Sequence, residues 1–217
     1  MKSILIIGMG KFGHHLCRNL LQYGNEIMIV DWEESCLEDL VPFVTSAKIG
    51  DCTKTEVLET LGINDFDVIF VCIGENFQSS LEITSLVKEM GGKYVVSKAN
   101  RDIHAKFLLR NGADEVIYPE KDIAEKMAIK YSSDYFMDYI ELTDEYSIYE
   151  ILPLKEWVNK TILEADIRAR YQLNVIGYKK GDRMKFSPSA KHIIKEGEPL
   201  MVIGLKEDMG KILRHFQ

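Results

Sequence analysis

The run Ile4-Leu5-Ile6-Ile7-Gly8-Met9-Gly10-Lys11-Phe12-Gly13 decides the fold. Four uncharged apolar residues in a row read as a strand covered on both faces. The GxGxxG that follows reads as the turn from that strand into a helix. Gly8 permits the tight turn, Gly10 lets the backbone approach a pyrophosphate, and Gly13 lets helix and strand pack closely. A helix beginning there offers free N–H groups and the positive end of its dipole to phosphates. Lys11 can reach phosphate oxygens as a point charge; the plainer reading is a solvated loop lysine.

The pattern continues outward from this motif. Leu16, Leu20 and Leu21 mark the apolar face of the first helix, and Ile27–Val30 is a second strand that ends at Asp31. A carboxylate there can accept both ribose hydroxyls of an adenosine and would repel a 2′-phosphate, which disfavours NADP; Trp32 beside it joins the nucleotide-contact candidates. Further apolar runs lie at Thr45–Ile49, Val68–Ile73, Tyr94–Ser97 and Glu115–Tyr118. Helical spacing of Leu81, Ile83, Leu86, Val87 and Met90 separates two of them. Strand–helix alternation with fully apolar strands predicts a Rossmann-type, doubly wound parallel sheet. Ligands of such sheets sit outside the carboxyl ends of the strands. That places Gly50-Asp51-Cys52, Ile73-Gly74-Glu75-Asn76 and Lys98-Ala99-Asn100 as candidate walls of the site. For each, ordinary loop or capping chemistry is the alternative; Asp51 before Thr53-Lys54 reads equally as a helix-cap neighbour.

Pro119 then punctuates the chain. Glu120 to about Asp134 reads as a helix, with Ile123, Met127, Ala128 and Tyr131 on one side. The domain boundary is expected near Ser133–Tyr135, giving domains 1–134 and 135–217. The second part predicts strands at Tyr139–Leu142 and Ser147–Pro153 and a helix at Thr161–Tyr171. A hairpin of Leu173–Lys179 and Arg183–Phe186 follows around a Lys-Gly-Asp turn, then a strand at Leu200–Leu205 and a closing helix at Glu207–Phe216. This is a small α+β domain.

Composition narrows the function. The 217 residues carry a net charge of −7, are 46% hydrophobic and 28% charged, and show no basic patch beyond pairs such as Lys179-Lys180. DNA or RNA is therefore not an expected partner. The four cysteines, Cys17, Cys36, Cys52 and Cys72, form no CxxC and read as buried small hydrophobes of a reducing cytosol. No signal peptide is visible, and no apolar stretch approaches the ~20 residues that span a bilayer. A cytoplasmic location is the expectation. A dehydrogenase would need a substrate region and an acid–base group beside the nicotinamide. Of the five histidines, His14, His15, His104, His192 and His215, only His104 falls near the expected ligand edge. The expectation is a nucleotide used as a signal, with no catalysis; an NAD-dependent oxidoreductase is the rival. A redox-sensing repressor would need a basic winged helix that the sequence lacks.

Several segments together resemble a known family. They are Gly8–Gly13, Asp31, Gly50-Asp-Cys-Thr53, Val71-Cys-Ile-Gly-Glu-Asn76, Lys98-Ala-Asn100, Gly112-Ala-Asp-Glu-Val-Ile-Tyr-Pro-Glu120 and Leu142-Thr-Asp-Glu-Tyr-Ser147. The combination resembles the regulator-of-K⁺-conductance (RCK) family, and within it the KtrA/TrkA-type cytosolic subunits of bacterial potassium uptake systems, over essentially the whole chain. The resemblance implies dimers assembling into an octameric ring that docks on a membrane K⁺ transporter subunit of the KtrB/TrkH kind. The protein would lie peripheral to the inner face of the membrane through that partner. It implies ATP/ADP or NAD(H) in the N-terminal lobe. The site would be held by Gly8, Met9, Gly10, Lys11, Phe12, Gly13, Asp31 and Trp32 and lined by Asp51, Cys52, Ile73, Gly74, Glu75, Lys98, Asn100 and His104. Glu120 matches a position that helps bind a divalent cation, Mg²⁺ or Ca²⁺; its alternative role is a helix N-terminal acid. Lys11 stands where relatives often carry Arg, and it cannot clamp a phosphate with two bonds. In the C-terminal lobe, Ile162, Leu163, Asp166, Ile167, Arg168, Asn174 and Pro188 match positions that bind cyclic di-AMP in Gram-positive relatives, with Asn174 departing from the usual apolar residue. The alternative there is a plain dimer core.

Overall fold

The computed structural model describes residues 1–131, 134–143, 145–181 and 183–215. Ser133 at the expected domain boundary, Asp144 in the Leu142–Ser147 stretch, Asp182 in the hairpin turn and Phe216 of the closing helix lie outside the described residues. Two compact units divide between Lys121 and Asp122.

The first unit is a six-stranded sheet of β1 (Ser3–Ile7), β2 (Glu26–Asp31), β3 (Ser46–Ile49), β4 (Val68–Val71), β5 (Val95–Lys98) and β6 (Glu115–Ile117). The order is β3-β2-β1-β4-β5-β6 and every pairing is parallel. This is the doubly wound order expected, and its chain reversal falls between β1 and β4. Alternation along β1 shows why those residues are all apolar. Leu5 and Ile7 pack with Ile69, Val71 and Val95 on one face. Ile4 and Ile6 pack with Ile27 and Ile29 on the other. Each large aliphatic side chain so buried contributes about 1.5–3 kcal/mol.

Helices α1 (Lys11–Gln22), α2 (Thr55–Glu59), α3 (Phe77–Glu89) and α4 (Asp102–Arg110) connect the strands. Between β2 and β3 there is a single turn of 3₁₀ helix at Glu34–Cys36, and Leu37 and Leu40 cover the Ile4/Ile6 face. Helix α5 (Pro119–Lys130) begins on proline, whose missing N–H costs nothing at a first helical position. The units divide within this helix rather than at Ser133–Tyr135, because Ile129 packs with the second core.

The second unit is an antiparallel sheet of β7 (Phe136–Glu141), β8 (Tyr146–Ile151), β9 (Asn174–Lys180), β10 (Arg183–Phe186) and β11 (Leu200–Leu205), ordered β10-β9-β11-β8-β7. Trp157 is fully buried among Leu154, Ile167, Leu200 and Val202. The predicted helix at Thr161–Tyr171 is two short ones, α6 (Ile162–Ala165) and α7 (Ile167–Tyr171). They are broken at Asp166, which takes the left-handed conformation (φ 46°, ψ 43°) that Asp tolerates through its short polar side chain. Helix α8 (Lys206–His215) closes the unit.

Candidate functional site

A cleft of about 850 Å³ opens at the carboxyl ends of the first unit's strands, where the sheet order reverses. Its floor is the glycine loop, and the three glycines are needed for different reasons. Gly8 sits at φ +94°, and a Cβ there would lie 2.9 Å from Cγ1 of Ile73. A Cβ on Gly13 would stand 2.2 Å from the Gly8 carbonyl oxygen. Those two positions are dictated by the fold. Gly10 is different: its backbone (φ −62°, ψ −177°) suits any residue, and a Cβ would meet nothing within 4 Å. A side chain at Gly10 would project into open space on the lining of the cleft. Gly10 is also the N-cap of α1, whose first turn has no side-chain cap and no acid. An uncapped helix N-terminus aimed at a cleft is an anion site in waiting.

Asp31 closes β2 and is buried to 9% exposure. Oδ2 accepts the Met9 N–H at 2.6 Å and Oδ1 accepts the Glu33 N–H at 3.0 Å. The carboxylate thus fixes the loop from beneath, and each oxygen retains a lone pair for a ribose hydroxyl. Trp32 beside it is 75% exposed at the cleft rim. On the opposite wall Lys98, only 15% exposed, donates to Oε1 of Glu120 at 2.8 Å and lies 5.9 Å from the Phe12 ring centroid. Lys98 thereby holds the Glu120 carboxyl below its usual range. Asp51 accepts from the hydroxyl (2.7 Å) and N–H (3.0 Å) of Thr53, which lowers its pKa likewise.

The cleft brings together Gly8, Gly10, Lys11, Phe12, Asp31, Trp32, Asp51, Cys52, Ile73, Gly74, Glu75, Lys98 and Glu120. Four expected contacts do not line it. Met9 is buried under the loop and Gly13 is packed against Gly8. Asn100 spends its amide on the Gly74 carbonyl, at 2.5 Å. His104 is fully buried, its ring 4.9 Å from Phe77. The sequence reading missed Glu33, Cys36, Thr53 and Ser79, which line the cleft; Asn76, expected at the end of the fourth strand, lines it too. Each lies within a few residues of a named strand end, so the strand-end rule pointed to them without fixing how far the wall extends. Asn76 also caps α3, accepting the Ser79 N–H at 3.1 Å.

All four cysteines are free thiols. Burial pushes Cys52 and Cys72 up to about 12 and Cys17 up to about 11, which makes them poor nucleophiles and metal ligands. Among the described residues no three His, Cys, Asp or Glu side chains are grouped to hold a metal. Glu120, a single carboxylate engaged by Lys98, fits a divalent cation only where phosphate oxygens supply most of the shell.

In the second unit a separate cavity of about 300 Å³ is lined by Arg168 and Asn174 together with Tyr146, Gln172, Gly204 and Asp208. The other expected ligand positions there lie elsewhere. Ile162 and Leu163 pair through their N–H groups with the carbonyls of His192 and Ala190, and Leu163 is exposed. Asp166 forms the break between α6 and α7, Pro188 follows β10, and Ile167 is 1% exposed in the core.

Among the described residues no helix is long and apolar enough to cross a membrane. The TrkA-N domain model matches residues 4–119 and the TrkA-C domain model residues 147–217. The chain is 37% identical over 210 residues to the Ktr system potassium uptake protein C of Bacillus subtilis, covering 97% of this chain and 95% of that protein. It is 35% identical over 208 residues to the Ktr system potassium uptake protein A of the same organism, covering 96% and 94%. A solved GsuK channel bound to NAD superposes with a TM-score of 0.69 at 19% identity, over 99% of this chain and 39% of that one, a likeness of fold. With both domains matched in tandem and the Ktr likeness running nearly end to end, the chain belongs to the RCK-type family of TrkA-N and TrkA-C regulatory proteins of potassium transport.

Proposed function

We propose that this chain binds an adenine nucleotide in the cleft of its first unit and uses it to regulate a membrane potassium transporter, without catalysing a reaction. The observation that carries the reading is Gly10, a glycine that neither its backbone angles nor its packing requires, standing at an uncapped helix N-terminus on the same cleft as Asp31. The diphosphate sits on the first turn of α1, the ribose on Asp31, and the base toward Trp32. Lys11 and Lys98 meet the distal phosphates. Where a divalent cation accompanies the nucleotide, Glu120 supplies its one protein carboxylate. ATP, ADP and NAD(H) all offer the adenosine diphosphate that this cleft fits.

The reading as a regulator is supported by the Ktr relatives and by the cleft's chemistry. His104, the one candidate acid–base histidine, is not on its wall. Regulation works by population shift: a ligand biases two conformations only through contacts that differ between them. Phosphate contact at Lys98, competing with Glu120, is such a contact. The partner is a transporter subunit of the KtrB/TrkH kind, and the assembled form is a ring of dimers, eight chains in all. Cyclic di-AMP in the second unit rests on Arg168 and Asn174 alone. The cavity of about 300 Å³ they share is at the lower bound for small-ligand sites, so a second copy would have to complete it.

The test is calorimetric titration of nucleotide-stripped protein with ATP, ADP, NAD⁺, NADH and cyclic di-AMP, with Mg²⁺ present. Binding of an adenine nucleotide that Asp31→Ala abolishes supports the reading. No binding by folded protein refutes it, and turnover of NADH with a small carbonyl compound would establish the oxidoreductase instead.

A further inference from the structure

His104 is the expected ligand contact that the fold buries completely, and its surroundings give it another task. Asn100, which opens the loop after β5, stands between His104 and the cleft wall. Its side-chain Nδ2 lies 2.5 Å from the Gly74 carbonyl oxygen. The amide can face only one way, because the reversed orientation would set two acceptors against each other. Its Oδ1 then faces Nδ1 of His104 at 3.1 Å, so that ring nitrogen carries the hydrogen. Nε2 is left as a bare acceptor, buried and without a hydrogen-bond partner. Phe77, the first residue of α3, packs on the ring at 4.9 Å, and the Arg101 guanidinium lies 5.0 Å from Phe77. Burial first, and the Arg101 charge second, lower the ring's pKa and so favour its neutral form. The main-chain carbonyl of Asn100 is engaged as well, by the Tyr118 hydroxyl at 2.5 Å.

We infer that His104 and Asn100 are positioning residues of the nucleotide cleft: His104, fixed in its neutral Nδ1–H tautomer behind Phe77, orients the Asn100 amide, which locks the Gly74 peptide and with it the Ile73–Asn76 wall. The Gly74 peptide matters because it borders Lys98: a Cβ on Gly74 would lie 3.3 Å from the Lys98 Nζ. A rotated Gly74 peptide would displace the cation that meets the phosphates. His104 therefore acts on affinity through Asn100 and touches no ligand. The inference rests on the nucleotide reading above.

Three variants test it by calorimetric titration with ATP and with NAD⁺. Asn100→Asp is isosteric and keeps an acceptor for His104, but it turns a second acceptor toward Gly74. His104→Leu removes the N–H donor. His104→Gln returns an amide N–H. Loss of one positioning hydrogen bond should weaken binding about tenfold in Asn100→Asp and His104→Leu, with His104→Gln within about threefold of wild type. Ring-nitrogen NMR should show a protonated Nδ1 in wild type and a ring that titrates below the ordinary histidine range. In Asn100→Asp the new carboxylate should raise that titration. Wild-type affinity in Asn100→Asp and His104→Leu overturns the inference. So does a wild-type affinity that rises in acid and loses that rise in His104→Leu, since the ring would then meet phosphate as a cation. Should wild type bind neither ATP nor NAD⁺, the nucleotide reading fails by itself, and the NMR tautomer still decides whether His104 orients Asn100.

Discussion

Replacing Gly10 and Gly13 by alanine, one at a time, separates what the glycine loop does for the fold from what it does for a ligand. At Gly10 the backbone is ordinary and the added methyl meets no protein atom within 4 Å. The loss of a favourable N-cap glycine, roughly 0.5–1 kcal/mol, is offset by reduced freedom of the unfolded chain, about 0.4–1 kcal/mol. Gly10→Ala should therefore melt within a few degrees of wild type. The methyl nevertheless projects into the cleft over the first turn of α1. Losing one charge-assisted N–H to phosphate there costs about 1.5–3 kcal/mol, or roughly 10- to 150-fold in Kd. At Gly13 the methyl would stand 2.2 Å from the Gly8 carbonyl oxygen, and one of two buried backbone segments must move. That strain costs about 3 kcal/mol or more, roughly 10 °C or more in melting temperature for a unit of this size. Thermal melts followed by circular dichroism, paired with calorimetric titration of ATP, ADP and NAD⁺, read both effects. Gly10→Ala that binds like wild type would refute the claim that ligand phosphate occupies this space. Gly10→Ala that melts far below wild type would show that the fold needs this glycine after all.

Other outcomes follow from single contacts. Lys98→Met should weaken ATP and ADP about tenfold and release the Glu120 carboxyl toward its ordinary range; equal affinity would remove Lys98 from the phosphate site. Thr161→Ala destroys the capping box in which Thr161 and Glu164 satisfy each other's N–H, and denaturant unfolding should register a loss of about 1 kcal/mol. Gln172→Gly relieves a left-handed residue (φ 57°) at the end of α7 and should raise stability by roughly 0.5–1 kcal/mol in the same assay. At Asp114 burial acts against ionisation, but hydrogen bonds from Lys88 (2.8 and 2.9 Å) and the Val95 N–H (2.7 Å) outweigh it, and the carboxyl titrates below its usual value. Its contribution is complete above about pH 4 and fades as pH falls through the lowered pKa. Asp114→Asn should flatten that part of the acid limb in urea titrations at pH 3–6.

The parallel sheet was legible because its strands are buried on both faces and so carry unbroken apolar runs. Val68–Ile73 and Ile4–Ile7 differ from the observed strands only at their ends. The second sheet was harder. Strand β7 was expected at Tyr139–Leu142 but starts at Phe136, since the register shifts between Phe136 and Asp138 and a bulge erases the two-residue alternation. The Thr161 capping box could be read from Thr-x-x-Glu, whereas the break at Asp166 depends on one left-handed dihedral that leaves no periodic trace. In the site, the glycine loop, Asp31 and Lys98 follow from motif and strand-end position, and Glu120 from the family resemblance alone. His104 does not, because whether a helical residue faces a cleft or a neighbouring helix depends on how α4 rolls against α3.

The two tryptophans fall one to each unit, Trp32 exposed on the cleft rim and Trp157 sealed in the second core. Their light is therefore separable. Trp32 should emit as in water and be reached by iodide, and a base stacked on it should dim the red side of the spectrum. Trp157 should emit to the blue, out of reach of iodide, until the second core opens. One emission spectrum then carries two independent channels, occupancy of the first unit and integrity of the second. It is nearly blind to unfolding of the first unit, whose sole indole is already in solvent.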